Sequence, residues 1–208
     1  MNAIFDQFLQ QAITFAAIMD PIGVSAMMLG MLPYRTTPVE AAQIARKSTL
    51  TVLIAFIVVF VFGDAILKFF GIDQYSLKVI GGIILLMMAI EMLSNESGGR
   101  MLSPEGREDI AVIPLGIPII FGAGLFTTVI IFRQQATDPL SIAVTVCAFA
   151  LNALVIYLTL RYAVWIRSVL GLTGEKVITK LMGLITGAIA VQFIISGAVT
   201  LAKEVWMQ

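Results

Sequence analysis

The stretch AAIMDPIGVSAMML, residues 16–29, sets an Asp-Pro pair inside an otherwise apolar run. Asp is favoured at the N-cap of a helix and Pro at its first position, so Asp20-Pro21 marks a helix start. Here the start falls inside a segment long and apolar enough to cross a bilayer. The expectation is two half-helices, the second starting at Asp20 and running through Val24 toward Leu29. Backbone groups freed at such a break are tolerated at membrane depth only within protein or beside a wet cavity. A carboxylate at the bilayer centre costs about 2.5–3.5 kcal/mol on insertion scales, which marks Asp20 as a functional candidate. The alternative role for Asp20 is capping of its own half-helix.

Composition points to the same solvent. Of the 208 residues 59% are hydrophobic and 12% are charged, and the mean hydropathy is +0.99. Soluble domains carry about 45–50% apolar and about 25% charged residues. The formal net charge is zero, which argues against nucleic-acid partners. There is no histidine, and Cys147 is the single cysteine. Zinc sites, histidine triads and disulfide frameworks are thereby excluded. Neither a Ser-Lys pair nor a paired-Asp constellation is apparent in facing spans, so the chain is expected not to be an enzyme. Cys147 itself reads as a small core residue.

Runs of about 20 apolar residues can span as helix. Six occur, over 8–32, 46–67, 76–94, 111–132, 140–161 and 177–201. Residues 1–94 then form one three-helix repeat, 95–110 a polar linker, and 111–208 a second three-helix repeat. Arg35, Arg46, Lys47, Arg100, Arg107, Arg161, Arg167, Lys176 and Lys180 fall on one side; Lys68, Lys78, Arg133 and Lys203 fall on the other. The excess of positive charge predicts a cytoplasmic linker and both termini outside.

A shift of 102 residues lays the second half over the first. Lys78 meets Lys180, Gly81 meets Gly183, and Asp20-Pro21 meets Gly122-Ala123. An odd number of spans per repeat makes the second copy enter the bilayer from the opposite face. Two inverted three-helix halves with breaks at matching places is a construction used by secondary transporters. The fold class expected is therefore an all-α, six-span membrane protein with its first and fourth spans broken.

The fourth span, IPLGIPIIFGAGLFTTV, holds Pro114, Gly116, Pro118, Gly122 and Gly124. That density suits an opened backbone better than a straight helix. Half-helix N-termini suit a carboxylate, while Asp20 and opened carbonyls suit an ammonium group or small cation. The expected ligand is a zwitterionic amino acid. The candidate site comprises Asp20, Pro21, Gly23, Gly122, Ala123, Gly124, Thr127 and Thr128. Bulk added at Gly122 or Gly124 is expected to enter a cavity and not a packed seam. Asn152 and Gln192 are secondary candidates that serve equally as interhelical hydrogen bonds. Gly183 and Gly187 read as helix packing, and Glu91 as a solvated carboxylate. No metal or cofactor is expected beyond a coupling ion, H+ or Na+, and a homo-oligomer is compatible with the sequence.

DPIG, GGIILLMMAIEML, IPLGIPIIFGAG and KLMGLITGAIAVQFIISG together resemble the MarC family of bacterial and archaeal inner-membrane proteins, also known as the neutral amino acid transporter family. The resemblance runs through all six spans in order. It departs at Val24 and Ala26, where such proteins usually have Asn and Pro, and at Ala123, where they have Pro between two glycines. What the resemblance implies is transport of small neutral amino acids such as glycine and alanine. The competing class is a channel or an exporter of other small solutes.

Overall fold

The computed structural model describes residues 3–32, 37–94 and 111–206. The linker and Arg35, Arg100 and Arg107, on which the orientation partly rests, lie outside the described residues. Every element among the described residues is helical. The order is α1 (Ala3–Met19), α2 (Pro21–Met31), α3 (Pro38–Phe70), α4 (Gln74–Leu93), a π-type segment Ala111–Ile120, α5 (Ala123–Gln135), α6 (Pro139–Arg161) and α7 (Ala163–Trp206).

Local chemistry fixes most boundaries. Thr37 caps α3 in a reciprocal box with Glu40, and Pro38 follows at the first position. The Asp73 carboxylate accepts from the Tyr75 and Ser76 amides at 2.8 and 2.7 Å to open α4. The Ser76 hydroxyl adds a further bond to Asp73, and these contacts hold its pKa below the usual carboxylate range. Asp138 opens α6 through Ser141 in the same way, with the same downward shift. Gly71, at φ +65°, ends α3 with its N–H on the last carbonyls. Gly171, at φ +63°, kinks α7 after two turns. Both positions need a backbone that only glycine adopts freely.

Five stretches are long and apolar enough to cross a membrane: Ile4–Met31 (α1 with α2), Val39–Phe70, Gln74–Leu93, Pro139–Arg161 and Ala163–Lys203. The expected sixth, over 111–132, is not a continuous helix. Ile113 and Ile117 take extended angles, because each precedes a proline whose ring clashes with a helical neighbour. What remains is a ten-residue irregular segment and the thirteen-residue α5, each short of a full span. At 33 residues α3 is longer than expected; at 1.5 Å per residue it measures about 50 Å, against about 30 Å of hydrocarbon.

The core is aromatic where α1, α3, α5 and α6 converge. Phe15 stands edge-on to Phe132 and Phe149, both at 5.3 Å, and Phe56 stacks on Phe149 at 3.8 Å. Arg133 closes one end over the Phe60 ring. A second seam joins α4 and α7 antiparallel along small residues. A Cβ on Gly82 would stand 2.7 Å from the Ala190 carbonyl oxygen, and one on Gly197 2.8 Å from that of Tyr75. Gly183 lies against Met92 and Gly187 against Ala89, so the G-x-x-x-G spacing serves close packing. Cys147 corrects an expectation: it is exposed, because α6 buries the opposite face, with Val144, Ala148, Asn152 and Ile156.

Gly82→Ala forces the two backbones apart and is expected to cost about 1–3 kcal/mol. Gly30→Ala meets nothing within 4 Å and should gain a few tenths to about 1 kcal/mol. Thermal unfolding in one detergent measures both; equal midpoints would contradict the seam.

Candidate functional site

The first break is built by one residue. Asp20 adopts φ 38°, ψ 69°, the left-handed region, which Asp tolerates better than most side chains. Its N–H still donates to the Ala16 carbonyl at 3.1 Å, and its own carbonyl accepts from Val24 at 2.9 Å. The helix therefore turns a corner without losing either bond. Pro21 has no N–H to satisfy at the new helix start. The Gly23 amide donates to Asp20 Oδ1 at 3.2 Å. Any Cβ on Gly23 would collide with Asp20 Oδ2, so Gly23 makes room for the folded carboxyl. The Thr179 hydroxyl of α7 donates to the same carboxyl. Asp20 is 8% exposed, a carboxyl held inside the protein at a break in a membrane-crossing helix.

At the second break Phe121 N–H reaches back to the Gly116 carbonyl at 2.9 Å, and Gly122 turns extended at φ −86°, ψ −178°. α5 then starts with no side-chain cap. Its first-turn N–H groups are thus left to whatever lies beside them. Ala123 is exposed, Gly122 half-buried and Gly124 buried. Thr127 and Thr128 are buried and return their hydroxyl protons to the Ala123 and Gly124 carbonyls, at 2.9 and 2.8 Å.

The two broken spans lie side by side: α1 touches α5, and α2 touches the segment Ala111–Ile120. Asp20, Pro21 and Gly23 sit on one span, and Gly122, Ala123, Gly124, Thr127 and Thr128 on its neighbour. The region between α5 and α4 is packed. A Cβ on Gly124 would stand 2.7 Å from Leu85 Cδ2 and 3.0 Å from the Met88 sulfur. One on Gly81 would collide with Thr127. Bulk at Gly124 therefore enters a seam, contrary to the expectation from sequence.

The secondary candidates separate. Asn152 is buried and donates from Nδ2 to the Ala12 carbonyl at 3.1 Å, tying α6 to α1. Gln192 is exposed on α7, away from both breaks. Thr179 and Thr186 escaped the sequence reading. Thr186 donates to the Ala17 carbonyl at 3.0 Å, so α7 secures α1 and α2 on both sides of the break. A lone threonine in an apolar helix carries no signal of such a partner. An open apolar groove of about 420 Å³ lies elsewhere, between the starts of α1 and α6, and includes Phe5, Phe8 and Cys147.

Asp20→Ala removes the cap and should cost about 0.5–2 kcal/mol, whereas Asp20→Asn keeps an oxygen for Gly23 and should unfold near the parent temperature. Circular dichroism melting separates the two. An Asp20→Ala midpoint equal to that of the parent would contradict the capping role.

Residues 5–202 match the model of the MarC family, described as integral membrane proteins. A UPF0056 membrane protein of Pyrococcus abyssi is 35% identical over 183 residues, which cover 87% of this chain and 89% of the relative. The UPF0056 membrane protein YvbG of Bacillus subtilis is 34% identical over 192 residues, 89% and 90% of the two chains. YhcE of Escherichia coli is 30% identical over 187 residues, 87% and 86%. No solved structure matches the chain. The chain belongs to the MarC family of integral membrane proteins.

Proposed function

We propose that this MarC-family chain is a secondary transporter of small neutral amino acids, glycine and alanine among them, in the bacterial or archaeal inner membrane. The observation that carries the proposal is the pairing of unlike helix breaks on adjacent spans. One break holds a buried carboxyl, Asp20; the other offers the uncapped N-terminus of α5 beside the exposed Ala123. A zwitterion matches this pair, its ammonium group on Asp20 and its carboxylate on the α5 amides. Thr127 and Thr128 add hydroxyl oxygens one turn along.

Contacts between helices support an inverted repeat in which α1–α2, α3 and α4 correspond to the segment Ala111–Ile120 with α5, α6 and α7. α1 packs on α6 as Ala111–Ile120 packs on α3; α2 packs on α7 as α5 packs on α4; α2 meets α6 as α5 meets α3. α3 with α6, and α4 with α7, are the pairs that map onto themselves. The exceptions are α1 against α7, α5 against α6 and α6 against α7, whose counterparts are less extensive. Among the described residues the glycines of positive φ are Gly71, just before α4, and Gly171, at the kink near the start of α7, so each stands close to the start of the third helix of a half. In this reading the two-fold relating antiparallel α4 and α7 lies in the membrane plane, the arrangement of inverted-repeat transporters with a midplane site.

The packing of Gly124 on Leu85 and Met88 favours a carrier over an open channel. In such a carrier, opening to either side separates α5 from α4, or α2 from α7. The coupling ion in this reading is H+ or Na+, with Asp20 as its binding group. Both termini face outward and the 95–110 link lies in the cytoplasm.

Proteoliposome exchange tests the proposal. Labelled glycine or alanine should exchange against internal unlabelled substrate, and an imposed H+ or Na+ gradient should drive its accumulation. Asp20→Asn should lose gradient-driven uptake more than exchange. Leakage without exchange would favour a channel, and no movement of any small neutral amino acid would overturn the substrate assignment.

A further inference from the structure

Gln192 has no role in either break, and its position asks for one. It lies three residues past the middle of the apolar run 177–201, about 4.5 Å along the helix, well within the roughly 15 Å half-thickness of the hydrocarbon. Its side chain is exposed, and within the described chain it has no hydrogen-bond partner. A carboxamide carries two N–H donors and a carbonyl acceptor, none of which hydrocarbon can answer.

The surrounding face is open. Among the candidate spans α7 has the least-covered apolar window, with 17% of it buried. Its inner face is occupied by the seam with α4, through Gly183, Gly187, Ala190 and Gly197. Gln192 looks outward among Leu181, Leu184, Val191 and Ile195. One turn to each side lie Ala188 and Ser196, both small and both exposed. Small residues on one helix face let membrane helices approach closely, and an interhelical amide then fixes the contact.

We infer that this face of α7 is a homodimer interface in which Gln192 pairs with Gln192 of a second copy. The geometry selects that partner. A closed pair of copies inserted with the same orientation is related by a two-fold along the membrane normal, so residues near the axis meet their own twins at equal depth. A carboxamide is self-complementary: each Gln192 donates an N–H to the other's carbonyl oxygen, so the acceptor and one donor of each are answered at once. Ala188 and Ser196 provide the close approach this needs. The inference is independent of what the protein transports.

Disulfide mapping and dilution in bilayers test it together, using full-length protein with Cys147→Ala to remove the native thiol. In phosphatidylcholine–phosphatidylglycerol vesicles, Ala188→Cys and Ser196→Cys should each give a covalent dimer on copper-phenanthroline oxidation. Val155→Cys, exposed on α6, should not. In the parent background, energy transfer between labelled protomers diluted with lipid should report a dimer, weakened about 5- to 30-fold by Gln192→Leu. Gln192→Asn should retain most of the association. Gln192 is exposed, so these variants keep the monomer fold, and unchanged thermal midpoints confirm that. A monomer at all dilutions would mean that lipid covers the face and would overturn the inference. So would equal crosslinking at Val155, or an unweakened Gln192→Leu dimer.

Discussion

One hydrogen-bonded carboxyl organises the centre of this protein. Asp20 takes the left-handed conformation that separates α1 from α2, caps the new helix through Gly23, and accepts the Thr179 hydroxyl from α7. Without a carboxyl there, α2 would begin in a lipid-spanning segment with its first N–H groups unanswered, a condition hydrocarbon does not tolerate. Its bonds also set geometry at a distance. Thr179 and Thr186 secure both sides of the break to α7, and α7 is packed along α4 by its glycine seam. The break is therefore a fixed corner, held by its neighbours and not by local flexibility.

Much of this architecture was legible in the residues. Asp-Pro in an apolar run announced the corner at Asp20, and Thr37-Pro38 announced the start of α3. Prolines at 114 and 118 announced the irregular segment, because each forbids a helical neighbour. Other features depend on the far side of a contact and had no such signature. Cys147 faces outward because α6 buries Val144, Ala148 and Asn152, and α6 is apolar on every side, leaving periodicity nothing to read. Gly124 reads in sequence as room for a ligand, but Leu85 and Met88 stand against it. The 102-residue shift lays Thr179 on Leu77, yet only Thr179 meets a carboxyl; a sequence alignment of the two halves cannot reveal a contact that one of them lacks.

The two breaks also differ chemically. The first break presents a buried negative group, the second an uncapped helix start, and together they resemble the two ends of an amino acid. Family membership agrees with a membrane-embedded role, while the relatives' names specify no substrate. In the reading proposed here, the seams that close the site, α5 on α4 and α2 on α7, are the surfaces that must part for substrate to enter. Their glycines then have two duties, close approach when shut and freedom to slide when open.

The most direct test of that account is protection at Ala123, the exposed residue beside the uncapped start of α5. With Cys147→Ala and Ala123→Cys combined, the rate of alkylation by N-ethylmaleimide is measured in purified protein with and without glycine. The account predicts that glycine slows the reaction several-fold and that glutamate does not. An alkylation rate unchanged by saturating glycine, in a preparation that still exchanges glycine across vesicles, would contradict it.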